Sequence, residues 1–230
     1  MKKQLILIAV IVAVIAVMTP PGASAQVWNL NLYGGWSYSD ISGGGTVLSD
    51  AGYSSGFGGG LGAELRLNQD WGWEFGLWYI QKGAQGTLTA GNDNTGFFPT
   101  PTSTFDGSIS LDYVQVPILV NVYFPVGKKV DIRGFIGPTF AFLTSAKANG
   151  TLDGEAVDND VSDIFDDADI TVMIGAGGQW RLEKINLMLN FAWDIGVSNI
   201  ANVEGVEMKN NTVLITAGVG IPLASGADHD

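Results

Sequence analysis

Two long alternating segments joined by a tight turn, together residues 112–144, constrain this chain more than any other feature. In the first segment every even-numbered residue from Val114 to Phe124 is apolar, while the odd positions include glutamine, asparagine and tyrosine. The second segment repeats the pattern after residues 125–129, with Arg133 on its mixed face. Successive side chains of a strand point to opposite faces, so each segment has one apolar face. An apolar face of this length must pack against a second sheet or against lipid.

The same alternation recurs along the rest of the chain, with short and long connections in turn. The strand-like segments outside the opening pair are residues 27–38, 55–67, 71–81, 170–182, 185–197 and 212–223. Alternately short and long connections are typical of a meander whose short turns all lie on one side of a membrane. The sequence therefore predicts an all-β fold: an eight-stranded antiparallel up-and-down transmembrane β-barrel of the outer-membrane type, with periplasmic short turns and four outward loops.

The polarity of the two faces favours lipid over a soluble barrel or sandwich. The few charged residues within strands nearly all share the mixed face, whereas a soluble protein places its charges outside. A closed ring leaves no unpaired strand edge, which is the condition that lipid imposes. Aromatic residues near the strand ends are placed like the interfacial girdles of such barrels. The candidates are Trp36, Trp71, Trp73, Phe124 and Trp180.

The first 25 residues read as a cleaved signal peptide. Lys2 and Lys3 precede an uninterrupted apolar run from Leu5 to Met18, and a small-residue cleavage site follows at residues 23–25. We expect three regions: a signal peptide at residues 1–25, a barrel at residues 26–223 and a short polar tail at residues 224–230. Export through a signal peptide fits a protein of the cell outer membrane.

Composition excludes several functions. The chain has no cysteine, which removes thiol chemistry and Cys-based metal sites. Its net charge is −12 with only 11 Lys and Arg residues, which argues against nucleic acid because a phosphate backbone is bound by clustered basic side chains. No cofactor is expected.

The mixed faces carry charges of both signs, which predicts a charge network inside the barrel. An eight-stranded interior is just wide enough for side chains to fill it. The favoured interpretation is a salt-bridged plug, because charges persist in a low-dielectric interior when they are paired. A narrow ion path that uses the same charges is the alternative. The inward candidates are Glu64, Arg66, Glu74, Arg133, Arg181 and Asp194, with Gln179 also inward and Lys82 near the rim.

No catalytic residue is predicted. The chain has one histidine, His229, next to its last residue, so histidine-based mechanisms lack a partner. Glu64 and Glu74 could form a carboxylate pair on neighbouring strands, but nearby Arg66 favours neutralisation over acid–base chemistry. The G-x-G-x-x-G spacing within residues 56–62 opens no helix and does not indicate a dinucleotide site.

One long connection, residues 147–169, is strongly acidic. Asp158, Asp160 and Asp163 form a weak candidate for Ca²⁺, which prefers several oxygen ligands on a flexible loop. The spacing lacks the order of an EF-hand loop. The favoured interpretation is a solvated acidic loop, with divalent cations bridging it to lipopolysaccharide. Phenylalanines at positions 97, 98 and 105 of another long loop could form a partner surface or pack on the rim.

Four short motifs resemble the PorT-like "porin family" outer-membrane β-barrel domain of the Bacteroidetes. They are the Y-V-Q-V-P of residues 113–117, the G-F-I-G-P of residues 134–138, the Y-I-Q-K-G of residues 79–83, and the final strand with Gly218, Ile221 and Leu223. The last of these is similar to the signal that the outer-membrane insertion machinery recognises, although it ends in leucine and a polar tail follows. The resemblance implies location, architecture and use of that machinery, and it implies no activity.

The sequence thus favours a non-enzymatic outer-membrane protein with a side-chain-filled lumen and a structural or loop-mediated role. The alternatives are porin-like passage of ions or small solutes and an accessory role in secretion or envelope assembly. The expected partners are outer-membrane lipid, lipopolysaccharide and the insertion machinery, with no nucleic acid and a monomeric state.

Overall fold

A computed structural model of the chain describes residues 27–43, 52–89, 104–203 and 206–223. Within these ranges nine strands follow in order: β1 Val27–Gly43, β2 Gly52–Arg66, β3 Trp71–Thr89, β4 Thr104–Pro125, β5 Val130–Leu152, β6 Glu155–Asp160, β7 Ala168–Arg181, β8 Asn186–Gly196 and β9 Met208–Leu223. One turn of 3-10 helix, Ser162–Ile164, follows β6. The described ranges contain no helix that is long and apolar enough to cross a membrane. The expected signal peptide and polar tail lie outside the described residues and stay predictions.

Eight of the strands close into a ring. The hydrogen-bonded order is β4-β3-β2-β1-β9-β8-β7-β5, and an additional pairing of β4 with β5 joins the two ends. All pairings are antiparallel, and the first strand meets the last from Trp28↔Leu223 to Gly43↔Met208. The prediction of an eight-stranded up-and-down barrel is confirmed.

The alternation in sequence becomes an inside and an outside of the barrel. Leu32 on β1 and Phe191 on β8 are 58% and 55% exposed, whereas Asn31 and Asn190 beside them are 1% and 7% exposed. A soluble barrel would have the opposite polarity, because water favours polar groups on the outer face. The apolar outer wall therefore fits a surrounding of lipid.

Short turns connect the strands at one end. They lie at residues 67–70, 126–129 and 182–185. In the first of them the side chain of Asn68 accepts hydrogen bonds from the backbone N–H groups of Asp70 and Trp71, at 2.8 and 3.0 Å. An asparagine that bonds the backbone two and three residues ahead stabilises a tight turn. The long connections all leave from the other end, which we call the loop end.

The acidic connection at residues 147–169 was predicted to be a loop, but part of it forms a β-hairpin. β5 continues through Leu152, and β6 pairs back onto it as a ninth strand outside the ring. Asp153 and Gly154 form the turn, with φ of 52° and 87°. Asp-Gly is a strong hairpin signal because both positions of the tightest turn need a positive φ, which glycine adopts without strain. Similarly, β3 continues to Thr89 and β4 begins at Thr104, so Phe105 lies in a strand and not in the long loop in which it was predicted.

Candidate functional site

The inside of the barrel is the candidate site, and its side chains form three layers between the turn end and the loop end. We call them the turn-side charge layer, the apolar belt and the loop-side polar layer. Five ring strands show the sequence of layers on their inward positions. Moving from the turn end, these are Glu74–Trp78–Lys82 on β3, Asn121–Leu119–Gln115 on β4, Arg133–Phe135–Thr139 on β5, Asn190–Ala192–Asp194 on β8 and Thr216–Leu214–Thr212 on β9.

The turn-side charge layer is organised around Arg133, which is 2% exposed. Its guanidinium lies 2.7 Å from the carboxylate of Glu74 and donates to the Tyr33 hydroxyl at 2.9 Å and to Asn121 at 3.0 Å. It also lies over the ring of Phe135, 4.8 Å from the ring centre. A buried charge is stable only when it is paired and its hydrogen bonds are satisfied, and Arg133 meets both conditions.

The remaining members of this layer continue the network to the turn end. Asp131 bridges Arg66 and Arg181, each at 3.3 Å. Glu64 accepts a short hydrogen bond from the hydroxyl of Tyr123 and lies 3.9 Å from Arg66. The layer holds three arginines, namely Arg66, Arg133 and Arg181, and three carboxylates, namely Glu64, Glu74 and Asp131. Opposite charges are therefore matched in number within it.

The apolar belt crosses the middle of the lumen. Its members are the inward apolar residues between the two polar layers: Trp78, Leu119, Phe135, Met173, Ala192 and Leu214. The cavity that they line together with Tyr33, Glu74, Arg133, Asn190 and Thr216 measures about 10 Å³. A site needs roughly 10–15 Å³ to hold one water molecule, so the belt leaves no room for a continuous file of water.

Glycines make this packing possible. Trp78 pairs across strands with Gly60, and a Cβ on Gly60 would lie 2.8 Å from the indole Cγ. Phe135 pairs with Gly175 in the same manner, and a Cβ there would collide with the phenyl ring. Two large rings of the belt thus each lie over a glycine of the neighbouring strand, which explains part of the glycine content on the inward faces.

The loop-side polar layer is organised around Lys82, whose side chain is fully buried. Its ammonium lies 2.9 Å from Asp194 and 3.6 Å from Asp169. Neutral donors complete the shells of both carboxylates. Gln115 donates to Asp194 at 3.0 Å, Thr171 also donates to Asp194, and Asn210 and Ser198 donate to Asp169 at 2.9 and 2.8 Å.

Apolar side chains cover this layer at the loop end. Phe165 and Ala201 form a bridge between two connections, and both are buried with Phe105, Leu111 and other residues of the core cluster. The backbone N–H of residue 166 donates to the carbonyl of Ile200 at 2.8 Å. The predicted alternative that Phe105 packs back on the barrel is confirmed, while the phenylalanines at 97 and 98 lie outside the described residues.

Comparison with protein families shows which family the chain belongs to. A family model described as an outer membrane protein beta-barrel domain matches residues 24–202 of the 230. The chain belongs to this family. As a member of the outer-membrane β-barrel family, it lies in the cell outer membrane with its apolar wall in contact with lipid. The finer resemblance to PorT-like proteins stays a prediction.

Several solved outer-membrane proteins are similar to this member of the family. Neisserial surface protein A is similar with a TM-score of 0.48 and 12% identity, over 87% of this chain and 100% of that one. A major outer membrane protein from Thermus thermophilus is similar with a TM-score of 0.47 and 14% identity, over 87% of this chain and 100% of that one. OprG from Pseudomonas aeruginosa is similar with a TM-score of 0.41 and 14% identity, over 88% of this chain and 99% of that one. Comparison with curated proteins gave no match.

All six predicted lumen charges occupy inward positions, in two groups, and Arg66 and Arg181 are partly exposed at the turn end. Glu64, Arg66, Glu74, Arg133 and Arg181 lie together in the turn-side charge layer, whereas Asp194 belongs to the loop-side polar layer. Gln179 is buried, and Lys82 is the central cation of its layer and not a rim residue. Sequence reasoning missed Asp131 and Asp169. Asp131 has the same parity as Arg133, so the alternation contains the signal; Asp169 falls within the predicted acidic loop.

The five predicted girdle aromatics all face outward. Their exposed fractions run from 37% for Trp73 to 66% for Trp36. Phe124 and Trp180 flank the second and third short turns, and Trp71 directly follows the first. This arrangement fits an interface with lipid headgroups at the turn end, and the role itself stays a prediction.

The weak Ca²⁺ candidate is not assembled. Among the described residues no three Asp, Glu, His or Cys side chains lie close enough to hold a metal ion. β6 sets Asp158 and Asp160 opposite Asn149 and Lys147. Hydrogen bonds from Ser162, including one from its backbone N–H at 2.9 Å, hold the pKa of the Asp160 carboxyl below its usual value.

Proposed function

We propose that the protein is a non-enzymatic, non-conducting scaffold of the outer membrane that acts through its outer wall and its loop end. The observation that carries this proposal is the apolar belt, with its cavity of only about 10 Å³. An ion that crossed it would have to lose its water between Trp78, Phe135 and Met173, and nothing in the belt replaces that water. Transfer of a charge into such surroundings without compensation is strongly unfavourable.

The flanking layers support the same conclusion. Arg133 and Lys82 could attract ions only if their own partners released them. Arg133 already contacts Glu74 at 2.7 Å, and Lys82 contacts Asp194 at 2.9 Å. Removal of one member of such a pair leaves a buried charge unpaired, at about 3–5 kcal/mol. The charges therefore act as a plug that holds the strands together.

An enzymatic role has little support from the lumen. Glu64 and Glu74 are both engaged in the buried network, with Tyr123 and Arg133 as their main partners. A general acid or base must reach a substrate proton within hydrogen-bond distance, and the cavity beside Glu74, about 10 Å³, has no space for a substrate. We expect partners at the surface instead: lipid along the wall, lipopolysaccharide at the loop end, and the insertion machinery during assembly.

Single-channel recording of the refolded mature protein in planar bilayers tests the proposal. Heat-modifiable gel mobility first establishes that the barrel is closed. We expect a folded protein without discrete openings. The double variant Trp78→Ala/Phe135→Ala removes both rings of the belt and should produce openings, which shows that the assay can detect a path through this lumen.

Two results would contradict a filled scaffold. Steady openings of the wild type that change on neutralisation of Arg133 would favour the narrow ion path. Equal conductance of the wild type and the belt variant would mean that the belt is not what closes the lumen.

A further inference from the structure

A cleft on the outer wall, near the loop end, has a lining unlike the rest of the lipid-facing surface. It measures about 310 Å³, within the lower range of small-molecule sites. It lies over the pairing of β1 with β9, with β2 and β8 on its two sides. Its lining consists of Asp40, Tyr53, Phe191, Trp193, Asn211 and Val213.

The cleft lies where the outer wall changes from apolar to polar. On β9 the outward positions are apolar from Leu223 to Val213, and Asn211 is the first polar one. That stretch matches one membrane crossing, because a tilted strand needs about 9–11 residues. On β1 the outward face becomes polar at Asp40, which pairs directly with Asn211. The cleft thus has an apolar half in the lipid core and a polar half at its outer boundary.

Asp40 is the first charged residue on the outward face of β1 beyond its apolar stretch. Among the described residues no lysine or arginine forms an ion pair with it, although it is partly buried and borders the lipid core. Lys209, the next outward residue of β9 beyond Asn211, is paired with Glu207 at 2.9 Å. Asn211 is held beside it by a hydrogen bond from its amide to the hydroxyl of Ser42, at 3.0 Å.

The walls of the cleft are aromatic. Trp193 and Phe191 stand on β8, and Tyr53 stands on β2, on the far side of β1 and β9, which form the floor. Three strand spacings separate the walls, or about 14 Å. Aromatic faces suit the C–H side of a sugar ring, and a carboxylate with an amide suits its hydroxyl groups. A carboxylate without a basic partner repels phosphate, so a phosphorylated head would be a poor fit at this point.

We propose that this cleft binds the sugar head of an outer-leaflet glycolipid. Asp40 and Asn211 would bind the hydroxyl groups of the sugar, and an acyl chain of the lipid would lie along Val213 and Phe191. The occupant must be amphiphilic because the cleft is polar in one half and apolar in the other. This inference rests on the proposed role of the outer wall and loop end in binding lipopolysaccharide, and it does not depend on whether the lumen conducts.

Binding of deep-rough lipopolysaccharide to the purified mature barrel in detergent tests the proposal, with affinity measured by titration. Trp193→Ala and Asp40→Ala should each weaken binding at least 10-fold. Trp180→Ala is the matched control, since Trp180 is 47% exposed on the outer wall at the turn end and does not line the cleft; its affinity should stay within 2-fold. Heat-modifiable mobility verifies that each variant is folded, and Asp40→Asn gives a milder second variant.

Three outcomes would overturn the proposal. Wild-type affinity in the Trp193 and Asp40 variants would place binding elsewhere, and an equal loss in Trp180→Ala would mean general adsorption. Affinity that falls more than 10-fold when the lipopolysaccharide is dephosphorylated would mean that phosphate is recognised and not sugar. A conducting wild type would contradict the proposed scaffold and leave this result untouched, so the two failures are distinguishable.

Discussion

The two polar layers of the lumen stabilise buried charge in different ways. In the turn-side charge layer, Arg133 and its neighbours are matched by carboxylates in equal number. In the loop-side polar layer, Lys82 is shared by Asp169 and Asp194, and neutral amides and hydroxyls supply the remaining hydrogen bonds. The turn-side charge layer is stabilised by pairs of opposite charges. The loop-side polar layer has one more carboxylate than cations, and neutral hydrogen-bond donors stabilise the additional negative charge.

The two layers therefore differ in which interactions they can lose without a large loss of stability. Where charges are matched, a pair can be replaced together by neutral residues of similar volume at small cost. Where one cation serves two carboxylates, its loss leaves two negative charges in the interior.

Arg133→Ala should be the most destabilising substitution. It leaves Glu74 without its cation and opens a cavity beside Phe135, so we expect the free energy of unfolding to fall by about 4–5 kcal/mol. Urea unfolding in lipid vesicles measures it. Arg181→Ala is the matched control, because the Arg181 side chain is 39% exposed, and it should cost less than about 1 kcal/mol. Equal losses would show that the buried arginine has no special role.

Lys82→Met should be less destabilising than Arg133→Ala. It keeps the volume of the side chain and removes the charge, so the expected loss is about 3 kcal/mol. The double variant Lys82→Met/Asp194→Asn, which also removes one of the two uncompensated carboxylates, should recover about half of that loss in the same assay. A double variant less stable than Lys82→Met alone would contradict the surplus of negative charge in this layer.

The paired replacement Glu74→Gln/Arg133→Met should cost only about 1–2 kcal/mol, because it removes both charges and keeps most of the volume. The new amide oxygen at position 74 would still accept the hydrogen bond that Tyr33 now donates to Glu74. Together with both single variants it completes a double-mutant cycle. A double variant as unstable as Arg133→Ala would contradict charge matching in the turn-side charge layer, because the double variant leaves neither Glu74 nor Arg133 as an unpaired charge and keeps most of the volume.

Glu207→Gln lies outside both layers and should have the smallest effect. Lys209, 2.9 Å away, lowers the pKa of the Glu207 carboxyl from its ordinary 4.5. A lowered pKa means that the ion pair contributes above that pH and is lost as the pH falls through the folded-state value. Because the carboxyl is fully exposed, we expect urea curves of variant and wild type to coincide at about pH 7 and at about pH 3. A clear separation of the two curves at the higher pH would show that this surface ion pair contributes to the free energy of unfolding as the buried pairs of the lumen do.

Alternation alone was sufficient to predict the ring, its eight strands and the inward direction of Glu74 and Arg133. It was sufficient because a period of two assigns every strand residue to a face once one apolar face is recognised. The hairpin at Asp153 and Gly154 was also within reach, since its turn residues are typical, but the surrounding acidic residues favoured a loop.

The layered arrangement of the lumen could not be predicted. Which inward residues lie at the same height depends on the stagger between strands that barrel closure imposes, and a single strand's sequence does not contain that stagger. Arg133 and Tyr33 lie 100 residues apart in sequence, and only the closed ring brings them together. Likewise, the role of Gly60 became clear only from its pairing with Trp78.

The pairing of β1 with β9 has a consequence for biogenesis. These strands lie at the two ends of the barrel, so their seam can form only after the last strand has been made and delivered to the membrane. Asp40 lies on one side of the seam, and Asn211 and Val213 lie on the other. An unfinished barrel therefore has no cleft, and a glycolipid bound there would mark a molecule whose assembly is complete.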